Sequence, residues 1–566
     1  MKVLIVGGVA GGATAAARLR RLDEKAEIII LERGGYISYA NCGLPYYIGG
    51  TITDPNALTL QTPESFWQRF RIEVRVKNEV TVIDPVRKVV TVRRLATGNT
   101  YEESYDKLVL SPGAKPVRPP FPGVDDPAVF TLRTVEDTWK IHDYIHSSRP
   151  RRAVVIGGGF IGLEMAENLM SLGLTVTLAE RLPQVLAPLD YDMACGLHAY
   201  LRDKGLNLRL GSSVEGFSRQ GGRLLVRFQE GEPLETDLVI LAIGVAPDTQ
   251  LAKEAGLALG ARGSIIVNDR MESSQPDIYA VGDAVEIPNL ITGRPSLVPL
   301  AGPANKQGRI AADNICGKDS RYTGAQGSSV LKLFEMTAAA TGLNEAAAQA
   351  AGLSYDRVVL YSPSHATYYP GASNMTLKVL FDPHSGKLLG AQSVGFDGVD
   401  KRMDVLAAAI RGGMTAQDLA ELELCYAPPY SSAKDPVNMA GYVIGNLLDG
   451  GVRQFHWQDV ESLPRDGSIT LLDVRTPGEF GRGHISGAVN IPLDGLRENL
   501  SALDRDKPVY VNCHSGLRSY IACRILTQHG FSCYNLSGGY RFYHLVMSDK
   551  GYDAAPVHPC GIPIKN

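Results

Sequence analysis

Two short glycine runs, each set between an apolar strand pattern and a helix pattern, constrain this 566-residue chain more than any other feature. In the first, the run KVLIV at 2–6 breaks into Gly7-Gly8-Val9-Ala10-Gly11-Gly12, and an alanine-rich helix pattern follows to about Leu22. In the second, residues 152–156 lead into Gly157-Gly158-Gly159-Phe160-Ile161-Gly162 and another helix pattern. Glycines let backbone approach a pyrophosphate closely, and the free N–H groups of the helix start face its negative charge. Each time an acid closes the next strand: Glu32 ends EIIILE, 25 positions after Gly7, and Glu180 ends TVTLAE. A carboxylate there accepts hydrogen bonds from a ribose, a need that a turn serving packing alone would not have. The pattern predicts two dinucleotide sites, one on Gly7, Gly11, Gly12 and Glu32, the other on Gly157, Gly159, Gly162 and Glu180. The first departs from the full glycine pattern at Val9.

A chain of this length exceeds one hydrophobic core and divides into several domains. Its 44% hydrophobic and 21% charged residues, with 60 glycines and 33 prolines, describe a globular protein rich in turns. A net charge of -3 and a pI near 6.4 give no basic stripe for a phosphate backbone, so nucleic acid is not an expected partner. No apolar run reaches the roughly 20 residues that span a bilayer, and the first strand and turn carry no cleavage signal. A cytoplasmic protein without membrane contact is the expectation.

Eight cysteines occur, at 42, 195, 316, 425, 513, 523, 533 and 560, with no Cys-x-x-Cys and no Cys/His set at zinc spacing. Neither a metal site nor a disulfide scaffold is implied, and six of the eight read as small buried hydrophobes. Cys42 and Cys513 stand apart. Cys42 lies in Ser38-Tyr-Ala-Asn-Cys-Gly-Leu-Pro-Tyr46 with no nearby cysteine to pair with. A Cys-x-x-x-x-Cys pair stores electrons in its own bridge, whereas a lone thiolate cycles by bonding to the sulfur of its substrate. A low-molecular-weight thiol is therefore the expected second half of the bond.

Apolar strands ending in glycine turns recur at 108–114 and 238–247, followed by Ser273-Ser-Gln-Pro-Asp-Ile-Tyr-Ala-Val-Gly-Asp283. With the two glycine turns, these runs resemble the two-dinucleotide-binding-domain flavoprotein disulfide reductases over about residues 1–445. The resemblance implies FAD on the first turn, with Asp283 and Lys434 also contacting it, and a nicotinamide on the second. Glu180 repels a 2′-phosphate and favours NADH, while adjacent Arg181 leaves NADPH open. Within the family, NCGLPYYIGG resembles the coenzyme A disulfide reductases and their persulfide-reducing relatives. That likeness implies a redox Cys42 lying against the flavin, its thiol pKa lowered by the flavin and nearby helix starts.

It also implies coenzyme A contacts at Thr14, Arg18, Arg21, Ser38, Asn41 and Lys306. Offsets of 0, 4 and 7 put Thr14, Arg18 and Arg21 on one helix face, which serves a phosphate-bearing ligand or simply presents a solvated basic face. Tyr368 and Tyr426 fall in an α/β segment through which the family dimerises. Two readings stand for them: a proton supply to the partner's Cys42, or ordinary interface packing. NADH oxidases and peroxidases, which cycle one cysteine through a sulfenic acid, are the rival reading. Those enzymes carry histidine where this chain has Ala10 and serine where it has Asn41.

After a hinge at about 446–455, which reaches at most roughly 35 Å extended, the pattern restarts. Asp473-Val-Arg-Thr-Pro-Gly-Glu-Phe480, Gly483-His-Ile-Ser-Gly487 and Val509-Tyr-Val-Asn-Cys513-His-Ser-Gly-Leu-Arg518 resemble a rhodanese domain. Loop amides 514–519 curl around Cys513 as an anion nest, with Arg518 adding positive potential. The four-residue spacing to Arg518 is one short of the related phosphatases. Asp473, Arg475, Glu479 and His484 read as scaffolding for the loop, and Cys560 carries no motif.

The expected architecture is α/β throughout: two Rossmann-like nucleotide-binding domains, a dimerisation domain and a rhodanese domain. The FAD domain takes 1–112 and 245–325, the NAD domain 113–244, the dimerisation domain 326–445 and the rhodanese domain 455–555. The expected activity is NADH-dependent reduction of coenzyme A persulfide, polysulfide or coenzyme A disulfide, in a homodimer that uses FAD.

Overall fold

The computed structural model describes residues 1–260 and 262–552, which leaves Cys560 outside the described residues. The chain forms two units. The first comprises Met1–Val185 and Gly205–Gly327, and the second takes Leu186–Lys204 together with the chain from Ser328 onward.

Two five-stranded parallel sheets organise the first unit. One runs Ile278–Ala280, Lys107–Leu110, Lys2–Val6, Glu27–Glu32, Glu73–Val76, and the other runs Asn207–Arg209, Thr175–Ala179, Arg152–Ile156, Leu238–Leu241, Val129–Thr131. The central strand of each, Lys2–Val6 or Arg152–Ile156, feeds one of the glycine turns, so each turn stands where neighbouring strands diverge. Val3, Leu4 and Ile5 are fully buried, as are Val154 and Val155, because helices cover both faces of a parallel sheet.

Gly7 (φ +96°) and Gly157 (φ +108°) hold left-handed backbone. A Cβ on Gly12 would stand 1.9 Å from the Gly7 carbonyl oxygen, and one on Gly162 would stand 1.9 Å from that of Gly157. The two turns therefore share one geometry. A Cβ on Gly159 would meet nothing within 4 Å, which explains why the first turn tolerates Val9 at the corresponding place.

In the second unit, a five-stranded antiparallel sheet runs Ser329–Leu333, Met336–Gly342, Leu388–Gly395, Asn374–Phe381, Asp356–Pro363. A parallel sheet follows in the order Gln454–Phe455, Cys533–Leu536, Val509–Asn512, Thr470–Asp473, Val489–Asn490. Gln454 Nε2 donates to Asp356 Oδ2 at 2.9 Å, and Val359 N–H donates to Ser537 Oγ at 3.2 Å, so the two sheets are tied together. The expected hinge is instead a packed connection. Its helix, Pro436–Leu448, runs almost to the strand at Gln454, Val452 N–H donates to the Asn446 carbonyl at 3.2 Å, and Arg524 donates to the Gly451 carbonyl.

Fully buried Lys378 is the ionic hub of this unit. Its ammonium meets Asp190 (2.9 Å), Asp192 (2.8 Å) and Glu345 (2.5 Å), and Trp457 Nε1 donates to Asp192 Oδ2 at 3.0 Å. Among the described residues, no helix is long and apolar enough to cross a membrane.

Candidate functional site

Each glycine turn opens onto a helix whose first residues have no side-chain cap: Ala10–Leu22 after Val9, and Phe160–Ser171 after Gly159. The orphan N–H groups of those helix starts remain for a ligand. Glu32 accepts from Gly8 N–H (2.9 Å) and Gly34 N–H (2.7 Å), and Glu180 accepts from Gly158 N–H (2.6 Å) and Leu182 N–H (2.7 Å). Each carboxylate oxygen is thereby aimed by one backbone bond and keeps lone-pair capacity for a hydroxyl. At the first turn a cavity of about 450 Å³ is lined by Gly7, Glu32, Asn41, Ser111, Arg133 and Asp248, among others. Close backbone, an aimed acid and uncapped N–H groups fit the pyrophosphate and ribose of a dinucleotide.

Cys42 sits in the 3₁₀ turn Asn41–Gly43, just ahead of the short helix Leu44–Ile48, and is exposed. The Asn41 amide, oriented to satisfy both groups, donates to the Arg133 carbonyl at 3.0 Å and accepts from Arg133 Nη1 at 3.3 Å. Arg133 also pairs with Asp283 at 2.6 Å. Glu164, on the helix after the second glycine turn, accepts from Tyr46 Oη at 3.3 Å.

The protein's own groups act on the Cys42 thiol in the upward direction. Burial of the sulfur and the Glu164 charge push the thiol up, Arg133 opposes them, and Asp283 adds to the rise. Glu164 is itself pushed up to about 7, chiefly by burial and then by Glu167. A thiolate at Cys42 and a carboxylate at Glu164 thus disfavour one another. Arg133, Glu164 and Tyr46 were missed in the sequence; a lone acid in the apolar run FIGLEMA was the available signal for Glu164, whereas nothing local marks Arg133.

The residues expected at coenzyme A are spread over the same unit. Thr14 Oγ1 donates to Asn305 Oδ1 at 2.8 Å, and Arg18 is held by Asp313 at 2.7 Å, so the Arg18 charge is already compensated. Arg21 on the same helix and Lys306 on Ala301–Ile315 are exposed, and Ser38 has a left-handed backbone (φ +45°). The packing of the two helices is set by Gly308, where a Cβ would lie 2.3 Å from the Gly11 carbonyl. In the second unit, Tyr368 and Tyr426 are exposed with their hydroxyls 2.7 Å apart, which pushes Tyr368 up. Lys434 stands exposed ahead of Pro436–Leu448.

Cys513 is fully buried at the end of Val509–Asn512. Its sulfur accepts from Gly516 N–H (3.1 Å) and from Ser519 Oγ (3.2 Å), so a serine hydroxyl that the sequence reading missed completes the nest. Arg518 does not point its donors at the sulfur. Its guanidinium makes a bidentate pair with Glu479 (2.8 and 2.6 Å), which holds that carboxyl far below its ordinary range. Arg475 pairs with buried Asp473 (2.7 Å) and donates to the Gly483 carbonyl (2.7 Å), and His484 Nδ1 lies 3.1 Å from the Phe480 carbonyl.

Folding also gathers Cys195, His198 and Asp549, a set that spacing alone concealed, with ligand atoms within 4.8 Å of one another. Arg202 already pairs with Asp549, as Lys378 does with Asp190, Asp192 and Glu345, so both acidic clusters hold a cation from the chain.

Twin glycine turns above parallel sheets, with a cysteine set beyond the first, define a nicotinamide- and flavin-type disulfide reductase scaffold. The pyridine nucleotide-disulphide oxidoreductase model matches residues 1–308, the dimerisation-domain model of that family matches 329–436, and a rhodanese-like domain matches 456–544. The chain belongs to the pyridine nucleotide-disulphide oxidoreductases. It is 38% identical over 447 residues to a coenzyme A disulfide reductase of Staphylococcus haemolyticus (strain JCSC1435), spanning 79% of this chain and 100% of the relative. It is similar to the crystal structure of reduced Bacillus anthracis CoADR-RHD, with 49% identity, TM-score 0.95, and 97% and 98% of the two chains covered. It is likewise similar to an NAD-dependent persulfide reductase from A. fulgidus, with 39% identity, TM-score 0.89, and 96% and 100% covered.

Proposed function

We propose that this chain is an NADH-dependent flavoprotein that reduces coenzyme A persulfide, polysulfide or coenzyme A disulfide through Cys42, with its rhodanese domain carrying sulfane sulfur on Cys513. The observation that carries the reading is Cys42 itself: an exposed, unbridged thiol joined through Asn41, Arg133 and Asp283 to the region of the first dinucleotide turn. Glu32 and the turn at Gly7 would hold FAD, and Glu180 with the turn at Gly157 would hold NADH. When bound, FAD supplies two-electron transfer from NADH to sulfur.

The Cys42 thiolate attacks a sulfur of the substrate disulfide, forming a mixed disulfide and releasing one thiolate. Over the cycle, R–S–S–R and NADH with one proton yield two R–SH, and R–S–SH yields R–SH and hydrogen sulfide. Burial and Glu164 disfavour the Cys42 thiolate, so a protonated Glu164 removes one opposing charge when the thiolate forms. We assign Arg21 and Lys306, both exposed, to the coenzyme A phosphates. Tyr368 and Tyr426 supply protons to departing thiolates across a homodimer, supported by exposed Phe396 and Tyr430 in the same unit. At Cys513, the Gly516 amide and the Ser519 hydroxyl stabilise thiolate and persulfide anion alike.

The fusion favours persulfide over simple disulfide reduction, since a sulfur carrier on the same chain supplies that substrate. Peroxide chemistry lacks an imidazole at Ala10. We place the protein in the cytoplasm, where free thiols such as these persist. Replacing Cys42 and Cys513 separately by serine and following NADH consumption tests the assignment. Full turnover by Cys42→Ser overturns it, and full persulfide turnover by Cys513→Ser reduces the rhodanese domain to an accessory.

A further inference from the structure

Arg402, fully buried in the second unit, takes no part in the reading above. It stands in the first turn of the helix Val399–Gly412 and spreads its guanidinium over five partners. Nη1 donates to the Gly398 carbonyl at 3.2 Å, and Nη2 lies 2.8 Å from the Ser364 carbonyl, 3.1 Å from Ser431 Oγ, 2.9 Å from Asp435 Oδ2 and 3.5 Å from the Tyr430 carbonyl. A Cβ on Gly398 would stand 2.2 Å from Nη1, so the guanidinium fills the space that a side chain would take there.

These partners join two loops. Ser364 opens the loop between the strands Asp356–Pro363 and Asn374–Phe381, and Tyr368 lies on it. Tyr430, Ser431 and Asp435 belong to the loop between the helices Ala416–Glu421 and Pro436–Leu448, which carries Tyr426. Neither loop contains a helix or strand of its own, so its carbonyls need donors from elsewhere. Arg402 serves both loops at once. Ala366 N–H bridges them by donating to the Ser431 carbonyl at 2.9 Å, and neighbouring Lys401 Nζ reaches the Cys425 and Tyr430 carbonyls at 3.5 and 3.4 Å. Beyond this knot the Tyr368 and Tyr426 hydroxyls meet at 2.7 Å. A planar guanidinium fork serves several acceptors in fixed directions, which an ammonium on a flexible stem does not.

We propose that Arg402 is a positioning residue for the tyrosine pair: it holds the two loops in register so that the Tyr368 and Tyr426 hydroxyls are presented together to a departing thiolate. The proposal rests on the reading above for the role of the tyrosines. Being fully buried, Arg402 acts through the backbone of the loops and not on the substrate.

Arg402→Lys tests this, because it keeps a cation beside Asp435 and strands no buried carboxylate, yet loses the fork. In the full-length FAD-loaded protein, kcat for NADH oxidation with coenzyme A disulfide should fall about ten- to a hundredfold. The KM for NADH, and the rate at which NADH reduces the flavin before any disulfide is added, should stay as in wild type. In a Tyr368→Phe/Tyr426→Phe background, itself slow, Arg402→Lys should cost no more than about twofold further, because both changes remove one shared contribution. A wild-type kcat in Arg402→Lys, a loss that multiplies with that of the tyrosine variant, or a parallel loss in flavin reduction overturns the positioning role alone. A wild-type kcat in Tyr368→Phe/Tyr426→Phe overturns the tyrosine reading and leaves Arg402 nothing to position. Should Arg402→Lys fail to fold, Ser431→Ala repeats the test, since it leaves the ion pair and removes one tie to the Tyr426 loop. A several-fold lower kcat that vanishes in the phenylalanine background is expected there, and an unchanged kcat overturns the role.

Discussion

Replacing Glu180 by alanine should erase the preference for NADH. Its Oε2 is aimed by Gly158 N–H and its Oε1 by Leu182 N–H, which leaves each oxygen able to accept one ribose hydroxyl. A hydrogen bond to a charged acceptor contributes about 1.5–3 kcal/mol. Two such bonds, partly replaced by water in the variant, amount to roughly 2–4 kcal/mol net. At about 1.4 kcal/mol per factor of ten, kcat/KM for NADH falls about 30- to 700-fold. NADPH behaves differently, because the carboxylate that repels its 2′-phosphate is gone and the neighbouring Arg181 is exposed to meet it. Its kcat/KM holds or rises, so the NADH-to-NADPH ratio collapses by at least about 30-fold. Steady-state oxidation of each nucleotide, with coenzyme A disulfide as acceptor, measures that ratio. A wild-type protein that uses both nucleotides equally, or a variant that keeps the wild-type ratio, refutes the argument.

Glu164→Gln should shift alkylation of Cys42 to lower pH. Glu164 titrates near 7, up from 4.5, so its charge opposes the thiolate only as pH rises through about 7. Rates with iodoacetamide should therefore diverge above neutrality and coincide below it, and the stability penalty of ionising Glu164, which builds up as pH rises from about 4.5 to about 7, should be absent from the variant. Ser519→Ala removes a hydroxyl donor from the Cys513 sulfur and should slow thiosulfate-to-cyanide sulfur transfer about ten- to a hundredfold, at about 1.5–3 kcal/mol for a bond to a charged group. Lys378→Met strands Asp190, Asp192 and Glu345 without their cation and should cost about 3–5 kcal/mol of stability. Thermal unfolding of wild type and variant side by side at neutral pH measures that loss.

How much of this was legible before folding depends on whether the chemistry is local in sequence. The turns at Gly7 and Gly157 were, because positive φ and a 1.9 Å approach to a carbonyl leave no residue but glycine at Gly12 and Gly162. The departure at Val9 looked like a defect until the open space at Gly159 showed that this position never meets backbone. Cys513 was legible for the same reason, its loop being six consecutive residues. Long-range partners were not. Arg133 reaches Asp283 across 150 positions, Lys378 reaches Asp192 across 186, and Asp549 reaches His198 across 351, so no window of sequence contains both ends. Arg518 shows a subtler failure: its position after Cys513 was plain, but Glu479, 39 residues earlier, decides where its donors go. Cys42 lies between these cases, since its motif singled out the thiol while the upward shift of its pKa comes first from burial and then from Glu164, 122 positions away. Burial and the nearby carboxylates raise that thiol, and Arg133, itself paired with Asp283, is the group that opposes them, so the protein groups around Cys42 do not by themselves favour the thiolate that the proposed cycle uses.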